Sequence, residues 1–274
     1  MATLAKLVLF AFCITLASSQ EDNQHEKLRL TQNKLRSGIG TEFPMQVSVQ
    51  ANGQHKCAGT LITIRHVLTS AYCVYSQFSS PTPILEVRTA LMHAQYAQLI
   101  KIKRVVRHSA YQYTQGRTLG RNDIAIITLA DKVKMSAHVK IAALPLDYFE
   151  EYPMGKTVHH SGFNLLGMPM PVSSSLDHIY NCGTKMQSVM HPAHICTNEN
   201  LIRNYPGGDS GSGLFDENKL TVIGVMSGEP ALERTGTPMI YTKVSYYLDF
   251  IYPEIDLFSN NKYVRSRHPA VDFQ

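Results

Sequence analysis

An all-β fold built from many short strands, a barrel or a sandwich, is predicted by three features of the sequence. Met45, Val47 and Val49 alternate with Gln46, Ser48 and Gln50, the period of a half-buried strand. Short apolar runs at 124–129, 221–226 and 239–244 suit strands buried on both faces. Gly, Pro and Asn-Gly signals punctuate these runs, as turns between short strands require.

The elements follow in order. Asn52-Gly53 marks a tight hairpin after the first strand, and residues 56–64 read as its returning partner. Most of 84–106 mixes β-branched and polar residues and reads as strand, although 89–100 also fits a helical pattern. Near the end, Val244, Tyr247, Leu248 and Ile251 fall at i, i+3, i+4 and i+7, which predicts one short C-terminal helix. Pro253 is expected to limit it. No internal repeat is visible.

The 274-residue chain is 44% hydrophobic and 17% charged, an ordinary globular balance. A net charge of +5 is too mild to imply nucleic acid. Lys6, an apolar run over 7–17 and the small residues Ala17-Ser18-Ser19 read as a secretory signal cleaved after Ser19. That run is too short for a bilayer span, so a secreted, extracellular product with no membrane or nucleic-acid partner is expected. The expected divisions are a signal peptide at 1–19, a polar N-terminal arm at 20–42, one domain at 43–258 and a polar, basic tail at 259–274.

Of five cysteines, Cys13 would leave with the leader. Cys57, Cys73, Cys182 and Cys196 then form an even set in an oxidising compartment, with three pairings open. No Cys-x-x-Cys pair supports zinc. His191-x-x-His194 lacks a carboxylate at motif spacing, so no metal or other cofactor is expected. His159-His160 is expected to be structural. Lys101, Lys103, Arg104 and Arg107 cluster on a strand-like stretch. They read first as a solvated face and second as a site for an acidic protein or acidic glycan.

The run Tyr205-Pro206-Gly207-Gly208-Asp209-Ser210-Gly211-Ser212-Gly213-Leu214 suits a tight loop that exposes a serine hydroxyl beside backbone N–H groups. It closely resembles the nucleophile loop of chymotrypsin-like serine proteases. Other anchors follow the same order. Phe43-Pro44-Met45-Gln46-Val47-Ser48 is similar to the family's first core strand, and Cys57-Ala58-Gly59-Thr60-Leu61-Ile62 to its Cys-Gly-Gly-Ser-Leu-Ile segment. Arg121-Asn122-Asp123-Ile124-Ala125 resembles the segment with the triad aspartate. Ser161-Gly162-Phe163-Asn164 resembles Ser-Gly-Trp-Gly, and Pro238-Met239-Ile240-Tyr241-Thr242-Lys243-Val244 resembles Pro-Gly-Val-Tyr-Thr-Lys-Val. The resemblance spans about 43–251. It implies a trypsin-like double six-stranded β-barrel with a short C-terminal helix, and the disulfides Cys57–Cys73 and Cys182–Cys196.

The same resemblance exposes departures. Val67-Leu68-Thr69-Ser70-Ala71-Tyr72-Cys73 is similar to the general-base segment, where the family has histidine directly before the cysteine and this chain has Tyr72. A serine hydroxyl needs a neighbour that takes its proton and returns it to the leaving group. Imidazole suits that task, whereas a phenol titrates near 10 and is about one part in a thousand ionised at pH 7. Losing one triad member lowers turnover about 10⁶-fold, leaving roughly 10³–10⁴ over water. The triad positions Tyr72, Asp123 and Ser210 are therefore read as degenerate, with none expected to act in catalysis.

Gly208 and Ser210 take the oxyanion-hole positions. Asn204, Glu229 and Met239 take specificity-pocket positions, where Met239 replaces a glycine and should fill space meant for a substrate side chain. Pro206 stands where the family has cysteine, Ser227 is retained, and Gly228-Glu229 replaces Trp-Gly. No apolar N-terminus suited to activation occurs near 32–34, so Asp209 lacks its usual ammonium partner. The resemblance offers His55 supported by Ser48 instead, as in some zymogens. This predicts Ser48, His55 and Asp209 as a zymogen-like network, Gly208 N–H turned away and a collapsed oxyanion hole.

The reading is a secreted protease homologue that acts by binding secreted proteins, including active proteases or inhibitors. Its settings would be cofactor, decoy or extracellular assembly roles, in immune or reproductive fluid for example. The alternative is a low-activity serine hydrolase using Ser210 with an unconventional base.

Overall fold

Twelve short strands close into two antiparallel six-stranded barrels in a computed structural model of the chain. It describes residues 43–74, 85–111, 121–148, 150–163, 169–186, 190–198, 209–227 and 238–256. The expected leader, arm and tail, and with them Asn204, Pro206, Gly208, Gly228 and Glu229, lie outside the described residues.

The first barrel contains β1 (Gln46–Ala51), β2 (Gln54–Leu61), β3 (His66–Thr69), β4 (Leu85–Arg88), β5 (Leu99–Arg107) and β6 (Ala125–Leu129). They pair in the order β1-β2-β3-β6-β5-β4. The second contains β7 (Thr157–Phe163), β8 (Pro169–Asp177), β9 (His194–Asn198), β10 (Gly213–Phe215), β11 (Val222–Met226) and β12 (Met239–Lys243), ordered β10-β11-β12-β9-β8-β7. Closure pairs each described strand with a neighbour on both sides.

The β1–β2 turn is the predicted one. Ala51 pairs with Gln54, and Asn52 and Gly53 both adopt positive φ, at 51° and 77°. That is the two-residue turn whose twist matches the strands. The alternation in β1 has a different meaning from the one expected. Its polar set is buried as well: Gln46 is 3% exposed and Ser48 3%. Gln46 Nε2 donates to the Ser161 carbonyl of β7 at 2.7 Å, so this polar face meets the second barrel rather than water.

Three of the four apolar clusters among the described residues fill and join the barrels, and the fourth gathers Ile240 around Cys182 and Cys196. One fills the first barrel with Val47, Val49, Leu61, Val67, Ile127 and Leu129. Another fills the second with Val158, Leu176, Leu214, Ile223, Met239 and Tyr241. The largest joins them, bringing Phe43, Leu68 and Ile126 against Phe215, Val225, Leu248 and Ile251. Truncating one such leucine or isoleucine to alanine lowers stability by about 2–5 kcal/mol. The disulfides Cys57–Cys73 and Cys182–Cys196 both form, with Cα atoms 5.9 and 6.6 Å apart. Each cross-links a short loop, a constraint on the order of 3 kcal/mol.

Two helical features differ from the sequence reading. Residues 89–100 are not helical beyond a 3-10 turn at Ala94–Tyr96. A helix that was not foreseen, α1 (Ile179–Met186), precedes β9 and carries Cys182 of the second disulfide. Asp177 before it accepts His178 N–H and Asn181 Nδ2, and Lys185 in its last turn reaches the same carboxylate at 3.1 Å. The C-terminal helix is present as a 3-10 turn, Val244–Tyr247, followed by α2 (Leu248–Asp256). Pro253 lies inside α2 and does not end it, because Leu248 and Ile251 are locked in the inter-barrel core. Arg104 of β5 also grips Glu254 at 2.6 Å.

Candidate functional site

Ser210 is pinned between the barrels by main-chain contacts on both sides. Its carbonyl accepts Ala58 N–H of β2 at 2.9 Å, and Gly211 N–H donates to the Met226 carbonyl of β11 at 2.9 Å. Gly211 has φ +87°. A Cβ there would lie 2.3 Å from both the Ala58 carbonyl and Thr69 Oγ1, so only glycine fits. Ser212 N–H closes back on the Asp209 carbonyl at 2.9 Å, and Ser212 Oγ donates to the Ser161 carbonyl at 3.1 Å. The result is a tight loop with Ser210 5% exposed.

Asp123 comes in from the start of β6. The preceding Asn122 takes φ 59°, a left-handed conformation asparagine tolerates. Its side chain is held by Tyr247 Oη and by the Ala110 carbonyl, both at 3.0 Å. The Asp123 carboxyl is 2% exposed and collects donors from three directions. Oδ1 accepts Ser70 Oγ at 2.6 Å and Tyr72 N–H at 2.9 Å, and Oδ2 accepts Ser227 Oγ at 2.9 Å. Sequence reasoning missed Ser70 as a partner. A hydroxyl two residues before Tyr72 carries no signal until the 3-10 turn Tyr72–Val74 folds it onto the carboxylate.

Tyr72 thus reaches Asp123 through its main-chain amide, while the residue as a whole is 39% exposed. Asp123, Tyr72 and Ser210 converge on the junction of the barrels: Thr69, next in chain to Ser70, donates to the same Ala58 carbonyl that crowds Gly211. This arrangement holds a serine and a carboxylate in order. Tyr72 joins it through its backbone amide, and its side chain is a phenol.

Asp209, 4% exposed, accepts Phe163 N–H at 2.5 Å. The Phe163 ring stacks on His55 with centroids 4.0 Å apart, and His55 Nδ1 meets Ser48 Oγ at 2.8 Å. Phe163, which the sequence reading did not include, thus contacts Asp209 through its amide and His55 through its ring, and Ser48 bonds that ring. Met239 is 4% exposed in the second-barrel core. Its sulfur receives Tyr241 Oη at 3.7 Å, and that hydroxyl also meets the buried His160 Nδ1 at 2.9 Å. His159 Nδ1 meets Ser173 Oγ at 2.9 Å.

His191 and His194 use Nδ1 to receive backbone amides, from Ala193 at 3.1 Å and His191 at 3.3 Å. Among the described residues no three His, Cys, Asp or Glu side chains are grouped to hold a metal. Burial lowers the His191 imidazole below its ordinary value, and Arg121 adds to the effect. Burial also lowers His108, and at His66 it outweighs the opposite pull of Glu254. Tyr247 is pushed up to about 12, chiefly by burial.

Two closed barrels with a serine loop and an aspartate at their junction define the architecture of a chymotrypsin-like serine protease. The family model described as Trypsin matches residues 35–251, and the chain belongs to that family. It is 28% identical over 236 residues to a tryptase of Mus musculus, covering 78% of this chain and 84% of that protein. Its fold is similar to that of neuropsin, a serine protease expressed in the limbic system of mouse brain. There the TM-score is 0.67 at 21% identity, covering 80% of this chain and 97% of that one.

Proposed function

We propose that this chain is a secreted, non-catalytic member of the trypsin family that acts by binding other secreted proteins. Its role would be cofactor to an active protease, decoy for inhibitors or substrates, or component of an extracellular complex. One observation carries the reading: Tyr72 stands directly before Cys73, where the resemblance expects the general-base histidine, and binds Asp123 through its amide. Phenols as a class are poorer proton shuttles at neutral pH than imidazoles. The buried Met239 agrees with a substrate pocket that no longer receives a side chain. Secretion is supported by the leader-like N-terminus and by the two disulfides.

A second reading, a weak hydrolase using Ser210 with another base, is favoured by the preserved loop. Gly211 still turns at φ +87° and Asp123 is still held beside it. A fluorophosphonate probe separates the two. The binding reading expects no Ser210-dependent labelling above that of the Ser210→Ala variant. Labelling at rates normal for the family, lost in that variant, overturns it. Tyr72→His then isolates the missing base: restored labelling shows that the phenol was the principal defect.

A further inference from the structure

We infer that the first barrel carries a docking surface for an acidic protein partner, with Tyr96, Leu99 and Met135 at its centre and Lys101, Lys132 and Lys134 on its rim. The inference rests on the binding reading above and names the chemistry of the partner. The three central side chains are among the most exposed large apolar groups of the barrel, at 46%, 56% and 45%. Contiguous exposure of this kind marks interaction surfaces, whereas scattered single residues do not.

Hydrogen bonds and ring contacts tie together the segments that bear these side chains. Gln98 Nε2 donates to the Lys134 carbonyl at 2.9 Å, and Lys134 N–H returns to Gln98 Oε1 at 2.7 Å. This double clamp ties the start of β5 to the loop that bears Met135. Tyr96 stacks on His138 with centroids 4.7 Å apart, and His138 packs on His93 at 3.9 Å. Ala130 N–H donates to the Lys101 carbonyl at 2.9 Å, which sets Lys101 beside the turn that holds Lys132. A surface already ordered before contact loses little entropy on binding.

The charge favours an anionic partner. All three lysines are exposed, and none forms an ion pair with another described residue. Arg88 stands opposite Leu99 and Glu86 opposite Lys101 across the β4–β5 pair. Glu86 and exposed Asp131 put two carboxylates inside the basic rim. A uniformly sulfated glycan would be repelled by them and would gain little from an apolar centre. A protein surface with acidic side chains around an apolar one matches both features, an apolar core within a polar rim.

The test uses the full secreted chain and three probes: a random Glu–Tyr copolymer, polyglutamate of matched length, and heparin. The copolymer should bind at least about tenfold more tightly than polyglutamate, since aromatic anchors dominate such contacts. Tyr96→Ala should remove most of that advantage. Lys101→Glu with Lys134→Glu should weaken the copolymer by more than about tenfold and flatten the salt dependence of its association rate. All these positions are on the surface, so an unchanged melting curve verifies folding. Equal binding of copolymer and polyglutamate, no binding, tighter heparin binding, or indifference to either variant overturns the proposal. Fluorophosphonate labelling of Ser210 would overturn the non-catalytic reading and leave these results unaffected, so the two fail separately.

Discussion

Two buried carboxylates flank the serine loop, and they are held differently. Asp123 is 2% exposed and collects two hydroxyls and one amide from residues of both barrels. Asp209 is 4% exposed and takes Phe163 N–H, with the His55 ring stacked on that same phenylalanine. The first is supported by three neutral donors, Ser70 Oγ, Tyr72 N–H and Ser227 Oγ. The second accepts the amide of Phe163, whose ring stacks on His55 of β2. Buried carboxylates are tolerated only when such partners surround them. The Asp123 corner is therefore satisfied by hydroxyls and an amide of this chain.

The comparison can be broken most severely at the glycine between the two sites. Gly211→Ala places a Cβ against backbone at φ +87° and should lower stability by more than about 4 kcal/mol, seen as loss of secretion or of cooperative unfolding. Asp123→Ala strands three donors in a dry site and should cost about 3 kcal/mol in urea unfolding, with Ser70→Ala losing about 1.5. A loss below about 0.5 kcal/mol in both would show that the carboxylate is not structural.

A double-mutant cycle sharpens the other side. His55→Ala removes a stacked ring and the Ser48 contact and should lose about 1 kcal/mol. If His55 and Asp209 pair as proposed, their coupling should exceed about 0.5 kcal/mol, and additive effects would show that they act separately. The smallest effect is on pH dependence, away from both carboxylates. Burial lowers His66, His108 and His191, so folding prefers their neutral rings. Their contribution is complete above about pH 6.5 and is lost as pH falls through the lowered folded values. Melting temperature should drop on acidification from pH 7 to 5, and a flat profile would contradict this.

Much of the fold was legible in the chain itself. The Asn52-Gly53 turn, the fully buried β6 and the i, i+3, i+4, i+7 stripe that reaches Ile251 all lie where local pattern put them. Other features depended on distant partners. The polar face of β1 looked solvent-bound because nothing near Gln46 in sequence reveals that Ser161 would cover it. Helix α1 was missed, although Asp177 before it and Lys185 in its last turn match the helix dipole. Pro253 marked an end that packing overrode.

Sequence alone determined the chemical identities: a serine between Asp209 and Gly211, an aspartate after Asn122, and a tyrosine directly before Cys73. These are local and covalent, and no packing can alter them. Tertiary structure decided how those groups are satisfied, because hydrogen-bond partners are set by distance in space. Ser70 and Ser227 reach Asp123 from 53 and 104 residues away, and Phe163 meets Asp209 from 46. Only closure of the two barrels brings such remote donors into the dry junction where a carboxylate needs them.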